Sequence, residues 1–282
     1  MKIAKTINEV RNILQNSRSK GKSIGFVPTM GALHKGHLAL VNTAMQENDV
    51  VVVSIFVNPT QFNNPKDLEK YPRNLKADIA LLQTLSSEII VYNPTIKDLY
   101  GNSVAALNYD FGSLATVMEG AFRPGHFNGV ATVVNKLFKK VKPNRAYFGE
   151  KDYQQLLIIK KLVALTNQDI EIVGCPIARA LSGLARSSRN QRLNNTQLNQ
   201  ASFIYNQLNW VKETFNHKPI STLKNTVYKQ FELREEWVLE YFEIAEANTL
   251  QPAIQKQQGV SYRAFIAAQL GGVRLIDNMG LN

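Results

Sequence analysis

The chain has 282 residues, 44% hydrophobic and 20% charged, a balance that suits a folded globular protein and excludes a disordered or fibrous one. Lys and Arg outnumber Asp and Glu by 33 to 22 for a net charge of +11, but they are spread along the whole chain, which fits an anionic small molecule and argues against nucleic acid. A single cysteine, Cys175, excludes an internal disulfide framework, and with no apolar run near the roughly 20 residues of a membrane span and no secretory-type apolar core after Met1, the expectation is a cytoplasmic protein without a membrane partner.

Ile7, Val10, Ile13 and Leu14 repeat at helical spacing over 6–19, and 23–27 reads as a short strand. A glycine-bearing turn follows, then a helix carried by Leu38, Leu40, Val41 and Met45 and ending near Asn48. The β-branched run 50–57 has the continuous apolar character of a strand buried on both faces of a parallel sheet, and Pro59 marks its exit. Residues 63–73, with Pro65 and Pro72, predict a long surface loop of the kind that covers a site. Helical period returns over 74–85, a strand follows at 88–92, and 93–112 reads as irregular. A helix at 127–141, a strand at 145–148, a helix at 152–165 and a strand at 169–173 complete the series.

This alternation predicts an α/β fold, a Rossmann-like mostly parallel sheet with helices on both faces, over 1–176. A basic, Ser-rich stretch from 179 to 192 then leads to a helix near 196–215, a linker with Pro219, a further helical segment and strand-like runs at 241–244 and 264–268. These predict a smaller C-terminal α+β domain over 177–282.

In such sheets ligands lie beyond the carboxyl ends of the strands, and the residues there carry the candidate chemistry. His34 and His37, two of only four histidines, flank Gly36 where a helix begins. Helix-start N–H groups and the dipole favour an anion, and histidines three apart share a helical face, so both suit a phosphate. The competing reading is two surface histidines. Gln61 follows the buried strand and is suited to a substrate carboxylate or hydroxyl, against the alternative of a loop glutamine facing water. In Gly149-Glu150-Lys151-Asp152, Asp152 suits a helix cap, whereas Lys151 at a helix start calls for an anion nearby. Gln154 and Gln155 follow. Ser187-Ser188-Arg189 places two hydroxyls beside a guanidinium, either for a polyphosphate or as a cap for the next helix.

Taken in order, Pro28-Thr29-Met30-Gly31-Ala32-Leu33-His34-Lys35-Gly36-His37, Phe56-Val57-Asn58-Pro59-Thr60-Gln61-Phe62, Tyr71-Pro72-Arg73, Arg123-Pro124-Gly125-His126-Phe127, Phe148-Gly149-Glu150-Lys151-Asp152-Tyr153-Gln154-Gln155 and Ser187-Ser188-Arg189-Asn190 resemble the pantothenate synthetase (pantoate–β-alanine ligase) family nearly end to end. The family belongs to the class I aminoacyl-tRNA-synthetase-like nucleotidylyltransferases. The resemblance implies condensation of (R)-pantoate with β-alanine through pantoyl adenylate, consuming ATP with Mg²⁺ and releasing AMP and pyrophosphate. It implies an ATP site formed by Met30 to His37, Gly149 to Asp152, Ala178, Arg186 and Ser187 to Arg189. His37, His34 and Lys151 would be catalytic, with His37 the proton donor. It further implies pantoate on Gln61 and Gln155, β-alanine near Gln61, Asp78 as a metal candidate, 63–73 as a gate, the C-terminal domain as a lid, and a homodimer. Two positions usually acidic in the family are Ala180 and Ser182 here, a usual Met is Arg186, and a usual Val is Ala178, which makes the loop more positive. Other nucleotidylyltransferases of the superfamily share the His34/His37 turn, and an RNA-binding protein built on the basic second domain is the rival of a different class.

Overall fold

A computed structural model describes residues 1–63 and 65–282. Its element order is β1 (Lys2–Ala4), α1 (Ile7–Ser19), β2 (Ile24–Thr29), α2 (Lys35–Glu47), β3 (Val50–Ile55), α3 (Pro65–Glu69), α4 (Leu75–Gln83), β4 (Ile90–Tyr92), α5 (Ile96–Tyr100), α6 (Met118–Phe122), α7 (His126–Val141), β5 (Arg145–Gly149), α8 (Tyr153–Leu165) and β6 (Glu171–Cys175). The C-terminal part adds α9 (Asn195–Gln200), α10 (Ser202–Thr214), α11 (Ile220–Glu232), β7 (Trp237–Glu246), β8 (Tyr262–Leu270) and β9 (Val273–Gly280).

Six strands form one parallel sheet in the order β1-β4-β3-β2-β5-β6. Successive side chains on a strand point to opposite faces, and both faces of this sheet are apolar. Val27, Val51, Val53 and Tyr147 pack with Val41 and Ala44 of α2 and Leu82 of α4. Phe26 and Phe148 turn the other way and meet the ring of Phe138 on α7 edge-on, at 6.2 and 6.4 Å between centroids. Burial on both faces explains why Val50 to Phe56, apart from Ser54, is apolar and not alternating.

The chain divides into two compact units, one of residues 1–111, 122–150 and 155–176, the other of 112–121, 151–154 and 177–282. Two short segments from before residue 177 thus belong with the C-terminal part. In that second unit an antiparallel sheet β7-β8-β9 is covered by α10 and α11, with Leu208, Val211, Leu223 and Val227 against Phe242, Ile244 and Ile266. Gln154 secures 112–121 by donating to the carbonyls of Leu114 (2.7 Å) and Val117 (2.9 Å) and accepting from the Glu119 amide (3.1 Å). Arg274 of β9 lies between Glu119 (2.7 Å) and Glu240 (2.8 Å). Burial weakens the charge on Arg274, but the bonds to the two carboxylates outweigh it and hold its pKa above the ordinary arginine range.

Several elements differ from expectation. The 63–73 loop contains α3, with Asn64 outside the described residues, and the irregular 93–112 stretch contains α5; both helices have five residues, too few to show a period. Edge strand β1 has three residues, and β9 hides its alternation because Asp277 and Asn278 are buried side by side. Pro219 is the cap of α11, not part of a linker.

Phe138 is fully buried between two aromatic rings. Phe138→Ala should lower the stability of the first unit by about 3–5 kcal/mol, read as a shift of the urea midpoint followed by circular dichroism.

Candidate active site

Strand order places the site. From β2 the chain moves outward through β3 and β4, and it later returns to the other side of β2 with β5. The strand order reverses between β2 and β5, and a doubly wound sheet receives its ligand beyond the carboxyl ends of its strands at such a point. The turn after β2 carries Met30 to His37, and the turn after β5 carries Gly149 and Glu150.

The first turn is sharply bent. Gly31 and Ala32 both have left-handed backbones, with φ of 77° and 49°. Only glycine adopts this freely, so Ala32 needs outside support. Asp78 of α4 supplies it: one carboxylate oxygen accepts the Ala32 N–H at 3.0 Å and the other the Leu33 N–H at 2.7 Å. Gly31 is required as well, since a Cβ there would lie 2.9 Å from the Asp78 carboxylate. The Thr29 hydroxyl accepts the Gly31 N–H and donates to the Ser54 carbonyl. Asp78 is 4% exposed and both its oxygens accept backbone amides, so it holds the turn. No cluster of three or more His, Cys, Asp or Glu suited to a metal occurs among the described residues.

The bent turn delivers the two histidines. His34 caps α2, its Nδ1 accepting the Gly36 N–H at 3.1 Å, while the His37 Nδ1 accepts the His34 N–H at 3.3 Å. The rings lie against each other, centroids 4.1 Å apart and planes tilted by 39°. A neutral imidazole whose Nδ1 accepts carries its proton on Nε2, so both rings present Nε2–H donors. Lys35 between them is exposed.

Gln61 is 9% exposed, which excludes the water-facing reading. Its Oε1 accepts from the Asn58 amide at 3.1 Å, and its Nε2 donates to the Met30 Sδ at 2.9 Å. A thioether is a weak acceptor, so this N–H can be surrendered to a carboxylate. Asn58 is itself fixed by the Gly129 carbonyl (3.1 Å) and the Tyr100 hydroxyl (2.5 Å), whose pKa burial pushes up. Helix α7 comes so close that a Cβ on Gly129 would lie 2.1 Å from the Thr60 carbonyl oxygen. His126 and Arg123 contact the Gln61 carbonyl at 2.8 and 3.3 Å. Asn58, Arg123 and His126 are visible in the sequence only as members of motifs and Gly129 in none, and no local signal marks them as supports for Gln61. Gln155 is half-buried in the first turn of α8, and among the described residues its amide has no hydrogen-bond partner, in contrast to Gln154.

The remaining candidates lie in the second unit. Lys151 occupies a 3₁₀ turn before α8, its side chain largely buried and its Nζ 3.7 Å from the Asp152 carboxylate. The basic stretch after residue 177 forms a tight hairpin: Arg186 N–H donates to the Ala178 carbonyl and Ala180 N–H to the Leu184 carbonyl. Leu181 and Ser182 are exposed at its tip, whereas Ala180 packs against the apolar core. Ser187 caps the following 3₁₀ turn, accepting the Arg189 N–H at 3.3 Å, so capping is one of its roles. Ser188 is buried and Arg189 half-buried.

Paired imidazoles after a central strand of a parallel sheet, with a buried amide from the next strand end in contact with Met30, fit a nucleotide-binding α/β protein. The sequence model of the pantoate–β-alanine ligase family matches residues 2–280. The pantothenate synthetase of Christiangramia forsetii is 55% identical over 269 residues, 95% of each chain. Among solved structures, the pantothenate synthetase of Thermus thermophilus superposes with a TM-score of 0.91 at 39% identity, covering 100% of this chain and 99% of that one. The Francisella tularensis pantoate–β-alanine ligase, described in complex with beta-gamma ATP and β-alanine, has a TM-score of 0.80 at 41% identity, with 100% and 98% coverage. The chain belongs to the pantoate–β-alanine ligase family.

Burial raises the Asp78 pKa more than the Leu33 and Ala32 amides lower it. The native state therefore holds this proton more tightly than the unfolded chain. Asp78's contribution to stability is complete below about pH 3.9, the ordinary carboxylate value, and declines as pH rises through the folded pKa. Asp78→Asn should abolish that decline, read as Tm against pH from acid to neutral. At neutral pH the variant should stay folded yet lose about ten-fold or more in kcat/KM, since the amide turns an NH2 donor toward one of the two N–H groups that the separate carboxylate oxygens accept.

Proposed function

We infer that the protein condenses (R)-pantoate with β-alanine at the expense of ATP, giving pantothenate, AMP and pyrophosphate through pantoyl adenylate. The observation that carries this is the family match over residues 2–280. In the first step a pantoate carboxylate oxygen attacks the α-phosphorus, the bond to the bridging oxygen breaks, and pyrophosphate leaves. In the second the β-alanine amine attacks the acyl carbon, AMP leaves with the acyl C–O bonding pair, and the nitrogen loses a proton.

The site residues act as follows in this reading. Met30 to His37, with Gly149 and Glu150, bind ATP in the first unit. Lys151, Asp152, Ala178, Arg186 and Ser187 to Arg189 bind it as well. His34 and His37 donate from Nε2 to phosphate oxygens, and His37 also supplies the proton donor for the leaving group. Fixed donors aimed at developing charge contribute about 2.7–4 kcal/mol each when removed one at a time. Lys151 and Arg189 add positive charge, which positioning-dominated phosphoryl transfer needs. Gln61 turns its Nε2 from Met30 to the pantoate carboxylate and also borders β-alanine, while Gln155 contacts pantoate. ATP enters as its Mg²⁺ complex. Mg²⁺ is commonly held by substrate phosphates with few protein ligands, which agrees with the commitment of Asp78 to backbone amides. We place the enzyme in the cytoplasm as a homodimer paired through the first unit, with 63–73 as the gate over the site.

AMP formation with ATP, pantoate and β-alanine, each omitted in turn, tests the assignment. Activity is expected only in the full mixture, whereas pyrophosphate release independent of the amine would indicate a simple nucleotidylyltransferase. The Ser182 position allows a finer test. It is exposed at the hairpin tip, so Ser182→Asp restores a carboxylate without disturbing the core. The KM for ATP should rise about 1.5- to 5-fold at low salt, the effect of an exposed charge, and return toward the original value as salt screens it.

A further inference from the structure

The second unit contains a buried polar cluster that the reaction as described leaves without a role. Asp277 and Asn278, adjacent on β9, are 5% and 2% exposed. Burying a carboxylate and an amide in a small unit is costly unless every bond is well made. The bonds made here all lead to one region. The Asp277 carboxylate receives the Arg179 guanidinium in a two-pronged bond, at 2.6 and 3.0 Å. Arg179 also donates to the Gly183 carbonyl at 3.0 Å and stacks over Tyr205, so the same fork grips the hairpin that leads into Ser187-Ser188-Arg189. The Asn278 side-chain amide donates to the Lys151 carbonyl at 2.9 Å. On its other side Asn278 Oδ1 accepts from Arg263, whose guanidinium lies 3.9 Å from the centre of the Tyr153 ring.

We propose that Asp277 and Asn278 are positioning residues for ATP: through Arg179 and the Lys151 carbonyl, they set the two phosphate-binding segments of the second unit at a fixed distance from each other. This rests on the assignment of Lys151 and Ser187 to Arg189 to the triphosphate. Neither residue reaches substrate in this scheme. Lys151 has a flexible stem on a short 3₁₀ turn, and pinning its own carbonyl removes freedom that binding would otherwise have to remove. Arg179 supplies the same restraint to the hairpin. Adjacent positions on one strand thus tie together segments 28 residues apart in sequence, 151 and 179, at the same place on the sheet.

The test is Asn278→Asp, which keeps the shape and the acceptor facing Arg263 but replaces the donor with an oxygen against the Lys151 carbonyl. Asn278→Ser, smaller and uncharged, is measured beside it in case the aspartate impairs folding. The expected result is a KM for ATP raised about ten-fold, the loss of one buried bond with its partner left unmet. The KM for pantoate should stay near that of the unaltered enzyme. Lys151→Ala should raise the KM for ATP at least as far, and the double variant should be no worse than Lys151→Ala alone. Should Lys151→Ala leave the KM for ATP unchanged, the assignment of Lys151 to phosphate fails. Where Lys151→Ala has its effect but the Asn278 variants have none, or multiply with it, or alter ATP and pantoate alike, the positioning role is overturned and that assignment stands.

Discussion

A single carboxylate governs the geometry of the first unit's site. Asp78 reaches from α4 to two consecutive amides, Ala32 and Leu33, in a turn whose backbone is left-handed at two successive residues. Without that anchor Ala32 would relax toward ordinary backbone angles, and the two neighbouring imidazoles that follow would lose their placement. The elevated pKa of Asp78 shows that burial outweighs what the amides return. Strain of this kind persists where the surrounding structure over-determines it, characteristically at functional sites.

Gln61 follows the same logic with neutral groups. Asn58 holds its oxygen, the Gln61 carbonyl is held by His126 and Arg123, and the amide nitrogen is left on a weak sulfur acceptor. The side chain is fixed everywhere except at the atom assigned to the carboxylate. Preorganisation of this sort reduces the ordering cost of binding, and it depends on Gly129 allowing α7 to press against Thr60.

The framework was legible in the sequence wherever its signal was local. Val50 to Phe56 is apolar but for Ser54 because both sides of β3 are covered, and the histidine turn announces itself by Gly31 after a strand and Gly36 in the first turn of the next helix. The relation of Gln61 to a strand end was legible for the same reason. What escaped depends on partners far along the chain. Asp78 lies 45 residues from Leu33, and Asn58 lies 71 from Gly129, so neither pairing leaves a local pattern. Strand β9 was obscured by the polarity of Asp277 and Asn278, which is intelligible only once Arg179 and Lys151 are beside them. The distinction between Gln154 and Gln155 likewise rests on which carbonyls α8 meets in its first turn.

The segment 112–121 bears on how such a chain is inherited and handled. It lies in sequence within the first unit but supplies Glu119 to the second, where Arg274 is held between that carboxylate and Glu240. A half-buried guanidinium deprived of one partner is strongly penalised, by about 3–5 kcal/mol for a buried pair. The two units are consequently interleaved, and no single scission of the chain yields two complete pieces. Exchange of the C-terminal unit between relatives by recombination at one junction would separate Arg274 from its native Glu119. Inheritance should therefore favour the gene as a whole over the shuffling of its halves.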